Sequence, residues 1–218
     1  MASSVRPYSG GTARVRKVES TKEGSWLELQ RTNWTDEDGQ ERVWESVARK
    51  TTSRGGIDSV AIIALLRHPS RPVSIPLILQ YRPPIESICV ELPAGLIDEG
   101  ETPDQSALRE LYEETGYGGP AFVGRVKVVQ MGGTAACDPG MSPSKMVLAT
   151  IEVELKEDEE TPKAKLDEGE HIDVRITPLR DLTRHLKGYE SLGYKVDAFV
   201  AHFARGLEEA RRTLKIEI

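Results

Sequence analysis

Glu110, Glu113 and Glu114 crowd one short stretch of this 218-residue chain, and the signals around them are helical. Thr102-Pro103-Asp104-Gln105 reads as a helix start: Thr102 can cap, Pro103 suits the first helical position, and Gln105 completes a capping box. Gly116 is a stop signal. The spacing predicts a helix over residues 103–115. At about 100° per residue, the three glutamates share one narrow face. Ala107, Leu108 and Leu111 form an adjacent apolar face that would pack on a sheet. The acids lie in the C-terminal half of the helix, where the dipole opposes negative charge. Such neighbours repel one another by roughly a few tenths of a kcal/mol per pair. Divalent cations would remove that conflict, and hard oxygen ligands on a rigid element suit Mg²⁺. The competing reading of the same face is a solvated acidic surface.

The wider spacing decides between these readings. Gly95 is followed by five residues and then Glu101, and after seven more come Arg109-Glu110-Leu111, Glu113-Glu114 and Gly116-Tyr117. This pattern resembles the complete Nudix box, departing only at Tyr117, where the family usually has an aliphatic residue. Tyr81-Arg82-Pro83-Pro84 and the run from Glu91 to Asp98 are similar to the ADP-ribose pyrophosphatase branch of that family. So are Trp44-Glu45-Ser46-Val47 and Cys137-Asp138-Pro139-Gly140.

The resemblance implies a fold, a reaction and a set of roles. The fold would be α/β, a Nudix αβα sandwich with a mixed sheet, plus a small N-terminal antiparallel β domain exchanged across a homodimer. The reaction would be Mg²⁺-dependent hydrolysis of the diphosphate of ADP-ribose to AMP and ribose 5-phosphate, with Mn²⁺ as a substitute ion. The metal shell would be Glu110, Glu113, Glu114, the carbonyl of Ala94 and a loop glutamate. Glu170 matches that loop position best and would act as a catalytic residue with Glu113 and Glu114; Glu168 is its rival. Trp26 and Trp44 resemble a pair that sandwiches adenine, and Glu45 would accept a hydrogen bond from the base. Arg49 and Arg82 would face the diphosphate, Leu96 would line the terminal ribose, and Asp138 would reach in from the partner subunit. For Arg109 and Glu101 a structural role is expected. Two other functions stay open: a hydrolase of another nucleoside diphosphate sugar or an oxidised nucleoside diphosphate, and a non-catalytic ADP-ribose-binding module.

The elements that must position these residues are read more coarsely. Val15–Val47 is strand-like, with a turn signal at Asp38-Gly39. Strands are expected at Val60–Leu66, Val73–Leu79, Ala121–Val129, Lys145–Leu155 and Ile172–Ile176, with Pro76 marking an edge or a bulge. Further helices are expected at Leu179–Leu186 and Val196–Leu214. A domain boundary is placed near Gly55-Gly56, so that residues 1–55 hold a tail and the β domain and residues 56–218 the hydrolase domain. A formal net charge of −6 argues against nonspecific nucleic-acid binding. Cys89 and Cys137 lack metal-ligand spacing, and no apolar signal core or bilayer-length run occurs, so a cytoplasmic protein is expected, with the nucleus as the alternative. The implied partners are a small nucleotide sugar and a second copy of the chain, without nucleic acid or membrane.

Overall fold

A computed structural model describes residues 13–50 and 56–215. The expected tail (residues 1–12) and Gly55 lie outside the described residues. In chain order the elements are β1 (Arg14–Glu23), β2 (Leu27–Thr35), β3 (Glu41–Arg49), β4 (Ser59–Arg67), β5 (Ser74–Arg82), β6 (Ser87–Glu91), β7 (Ala94–Leu96), α1 (Pro103–Thr115), β8 (Val126–Met131), β9 (Ala135–Ala136), β10 (Lys145–Glu154), β11 (Asp173–Pro178), α2 (Leu182–Ser191), β12 (Lys195–Val196) and α3 (Ala198–Leu214). They group into two compact units. One holds the described residues up to Asp58 together with Ala135–Lys145; the other holds Ser59–Thr134 and everything after Lys145.

The first unit is built on an antiparallel sheet in the order β1-β2-β3. The turn between β2 and β3 falls where Asp38-Gly39 marked it. The Asp36 carboxylate accepts the backbone N–H groups of Asp38 (3.0 Å) and Gln40 (2.8 Å), and Gly39 takes the positive φ, 79°, that such a turn requires.

The second unit is a mixed sheet in the order β12-β6-β5-β4-β10-β8, with β7 paired to β4 and β11 to β5. β4 and β10 run parallel, as do β6 and β12. Strand alternation splits β4 between two cores. Val60, Ile62, Ala64 and Leu66 pack with Ala107 and Leu111 of α1 and with Ala149, Ile151 and Val153 of β10. Ile63 faces the other way, into a core of β5, β6, α2 and α3 that includes Ile75, Leu77, Val90, Leu182 and Val200. Helices thus cover both faces of the sheet, the αβα layering expected. Among the described residues no helix is long and apolar enough to cross a membrane.

Several elements depart from the sequence reading. β6 and β7 were not foreseen, because each is short and Pro93 and Gly95 interrupt the apolar pattern. The expected strand Ala121–Val129 begins instead with a 3-10 turn, Pro120–Phe122, and Gly124 at φ 75° separates it from β8. Pro76 does not make β5 an edge, since the strand pairs with β11 through Ser74–Leu79 and with β6 through Ile78–Arg82. On the flank away from β11, β4 registers only with Ser74 and β6 only from Ile78 onward, so Pro76 has no registered partner there among the described residues. Leu108, placed on the buried face of α1 by periodicity, is 36% exposed. Leu111→Ala should therefore lower unfolding free energy by about 2–5 kcal/mol and Leu108→Ala by less than about 1 kcal/mol, measured by denaturant titration.

Candidate active site

α1 is fixed at both ends. Thr102 Oγ1 accepts the Gln105 N–H (3.4 Å) and Gln105 Oε1 accepts the Thr102 N–H (2.9 Å), which closes the capping box. Gly116, at φ 79°, ends the helix and donates to the Tyr112 carbonyl. From this rod Arg109 reaches back to the loop after β7. Its Nε and Nη2 donate to the Glu101 carboxylate (2.9 and 2.8 Å), and Nη2 also donates to the Leu96 carbonyl (3.0 Å). Its Nη1 donates to Glu110 (2.7 Å) and Glu113 (3.0 Å). Ser106 adds a hydroxyl bond to Glu101. The Arg109 hydrogen bonds, then that of Ser106, hold the Glu101 carboxyl down at about 2.

Glu114 lies behind this pair, 6% exposed, and accepts the Ala94 N–H at 2.9 Å. Burial, opposed by that bond and reinforced by the charges of Glu110, Glu170 and Glu91, pushes its carboxyl up to about 8. Burial raises Glu110 as well; Arg109 opposes the shift, and Glu113 and Glu170 add to it. Gly95 leaves room for the Glu110 carboxylate: a Cβ built there would overlap that group. Glu170 sits in a turn with Gly169 at φ 88°, its carboxylate accepting the Asp167 N–H at 3.2 Å. The base of the same loop is tied to α1, where the Lys165 N–H donates to the Glu113 carbonyl.

Ala94, Leu96, Glu110, Glu113, Glu114 and Glu170 are therefore brought to one region of the second unit. Among the described residues no three His, Cys, Asp or Glu side chains form a ready-made metal cage. Arg109 engages Glu110 and Glu113, and the Ala94 N–H engages Glu114. The donor chemistry nonetheless fits a hard divalent cation. Carboxylates that burial and mutual repulsion hold above their ordinary range gather beside a glycine that leaves them space.

Arg82, also in the second unit, is clamped by Glu91: Nε to Oε1 is 2.7 Å and Nη2 to Oε2 is 2.6 Å. In the sequence Glu91 stands only as the head of the Glu91–Asp98 run, with no role of its own. Its pairing with Arg82 is read only from the register that joins β5 to β6.

The remaining expected site residues lie in the first unit. Trp26 precedes β2 and is 73% exposed; Trp44, on β3, is 50% exposed and donates its indole N–H to the Gly140 carbonyl at 3.0 Å. Glu45 stands opposite Arg31 and Arg49 opposite Leu27 in the β2–β3 ladder. Asp138 begins a turn whose carbonyl accepts the N–H groups of Met141 and Ser142. The Met141 carbonyl in turn accepts the Val47 N–H of β3 at 2.9 Å.

A mixed sheet between helix layers, with a glutamate helix docked by arginine onto a glycine loop, is the Nudix architecture. Residues 57–198 match the NUDIX domain family model. The chain belongs to the Nudix family and is a hydrolase of that class. It is 36% identical to a protein of Saccharomyces cerevisiae named ADP-ribose pyrophosphatase, over 95% of this chain and 87% of that one. It is 33% identical to a mouse protein named ADP-sugar pyrophosphatase, over 93% of this chain and 90% of that one. A crystal structure described as an ADP compounds hydrolase shares the fold, with a TM-score of 0.56 and 22% identity over 82% of this chain and 86% of that chain.

The Glu101–Arg109 pair has a pH signature. Because the folded-state value of Glu101 is depressed from 4.5 to about 2, its contribution is full above 4.5 and is lost as pH falls through 2. Glu101→Gln should cost about 1–3 kcal/mol at neutral pH. The gap from the unaltered chain should close between pH 4.5 and 2 in denaturant titrations.

Proposed function

We propose that this chain hydrolyses the diphosphate of ADP-ribose, giving AMP and ribose 5-phosphate, with Mg²⁺ as the working ion and Mn²⁺ as a substitute. The observation that carries the reading is the mutually repelling pair of half-buried Glu110, against Gly95, and buried Glu114, in a chain alike over nearly its whole length to a protein named for this activity. The mouse relative's name favours a second, broader reading in which other ADP-sugars are also cut.

Glu110, Glu113, Glu114, Glu170 and the Ala94 carbonyl would hold the cations. When bound, such ions polarise phosphoryl oxygens and make water a better nucleophile at neutral pH. In hydrolysis the water oxygen bonds to one phosphorus, and the bond from that phosphorus to the bridging oxygen breaks. The Glu170 carboxylate takes the proton the water loses, with Glu113 or Glu114 as the alternative acceptor. Arg109 keeps Glu110 and Glu113 oriented on α1 while Glu114 is oriented by the Ala94 N–H. Arg49 and Arg82 bind the diphosphate oxygens, and Leu96 lies along the terminal ribose. Trp26 and Trp44 stack on adenine, with Glu45 accepting from the base and Asp138 contributed by a partner subunit.

A homodimer is supported by the first unit's sheet, which leaves Val15, Val18, Leu27, Leu29, Val43 and Trp44 exposed. A surface of that kind calls for a cover. Residues 1–55 would form the exchanging part and residues 56–218 the hydrolase domain. The free thiols Cys89 and Cys137 support a reducing compartment, the cytoplasm or the nucleus.

Glu114→Gln should lower kcat by about 100-fold or more while circular dichroism and melting show an intact fold, because the amide keeps the shape of the buried group. Unchanged turnover in that variant with Mg²⁺ present would sink the assignment. Sedimentation at micromolar concentration should give the dimer mass, and a monomer would remove the shared adenine slot.

A further inference from the structure

Glu91 belongs to none of the roles assigned above, yet it is the partner that sets the geometry of Arg82. The two sit on adjacent antiparallel strands, with Gln80 paired to Cys89 and Arg82 to Ser87 in the ladder. The Glu91 side chain is 12% exposed and that of Arg82 46%, so the carboxylate is the fixed member and the guanidinium the reachable one. Glu91 engages Arg82 through Nε and Nη2 only. Gln80 Nε2 lies 3.4 Å from Glu91 Oε2 and steadies it from the same strand as Arg82. Among the described residues no further hydrogen-bond partner takes the Nη1 donors of Arg82. A planar guanidinium gripped along one edge cannot rotate, so its free edge presents two N–H groups in a fixed direction. Two anionic oxygens on adjacent phosphoryl groups match such an edge.

We propose that Glu91 is the positioning residue for Arg82, clamping one edge of the guanidinium so that the other receives the diphosphate of the substrate. The inference rests on the reading of this chain as a diphosphate hydrolase with Arg82 on the diphosphate. Glu91 bonds to Arg82 and Gln80 and reaches the diphosphate through Arg82, while its charge is also felt by Glu114. Its negative charge is paired with the guanidinium, which stands between it and the anion that Arg82 would bind. Loss of Glu91 frees the side chain to sample several rotamers, and the ordering cost is then met on binding.

The test is a double-mutant cycle in the full-length chain, with Glu91→Gln, Arg82→Ala and the pair. The readouts are KM and kcat for ADP-ribose and the calorimetric Kd of its methylene-bridged, non-hydrolysable analogue. Glu91→Gln should raise KM and Kd about tenfold with kcat changed less than about threefold. In the Arg82→Ala background the same change should add less than about twofold. Effects that multiply, or a Glu91→Gln variant with unaltered KM and Kd, overturn the inference. Glu91→Asp, which keeps the charge but shortens the reach, should fall between the two, so that a fold lost in one variant leaves the other to decide. An unaltered chain that neither cuts ADP-ribose nor binds the analogue overturns the underlying reading instead, and is told apart by that wild-type control.

Discussion

A single guanidinium makes the rest of the site possible. Arg109 donates to Glu110 and Glu113 on its own helix, and to Glu101 and the Leu96 carbonyl in the preceding loop. Without it, the helix would end in a cluster of like charges at the pole where its dipole already disfavours them. The loop between β7 and α1 would also lose its tie to the helix. Arg109 is half-shielded rather than buried, with a side chain 26% exposed, so the network strengthens its charge-assisted bonds without the full desolvation cost of an interior ion pair.

Around that tie the chain places acids where they are individually unfavourable. Glu114 is buried against the Ala94 N–H, Glu110 fills the space left by Gly95, and the turn holding Glu170 adds its charge. Each is a local conflict that a folded chain keeps only where something else resolves it. The apolar face of α1, Ala107 and Leu111 locked between β4 and β10, supplies the rigidity that holds these acids together. The same sheet carries Arg82 and Glu91 on β5 and β6, so the anion-facing cation and the cation-facing anions are mounted on one scaffold.

What was legible in the sequence is what depends on near neighbours. α1 spans Pro103–Thr115 as its caps predicted, because Thr102, Gln105 and Gly116 act within one turn of it. The apolar run of β4 and the Asp38-Gly39 turn were readable for the same reason. Leu108 was misplaced because periodicity gives a face and not its width; the sheet covers Ala107 and Leu111 and stops there. β6 and β7 were hidden, being short segments held by long-range pairing across Pro93 and Gly95. The tight fit of Gly95 against Glu110 could be read only as a motif position, since its cause is a contact between a strand and a helix face. The clamp on Arg82 needed the β5–β6 register, which no local pattern supplies.

Phosphoanhydride hydrolysis on an ADP-sugar is the work proposed for this carboxylate cluster. It is tested most directly by following the purified chain with ADP-ribose by phosphorus NMR, with Mg²⁺ and again after chelation. The diphosphate resonances should give way to the two monoester signals of AMP and ribose 5-phosphate, and chelation should stop the change. Diphosphate resonances that persist with Mg²⁺, or that vanish equally fast after chelation, would contradict it.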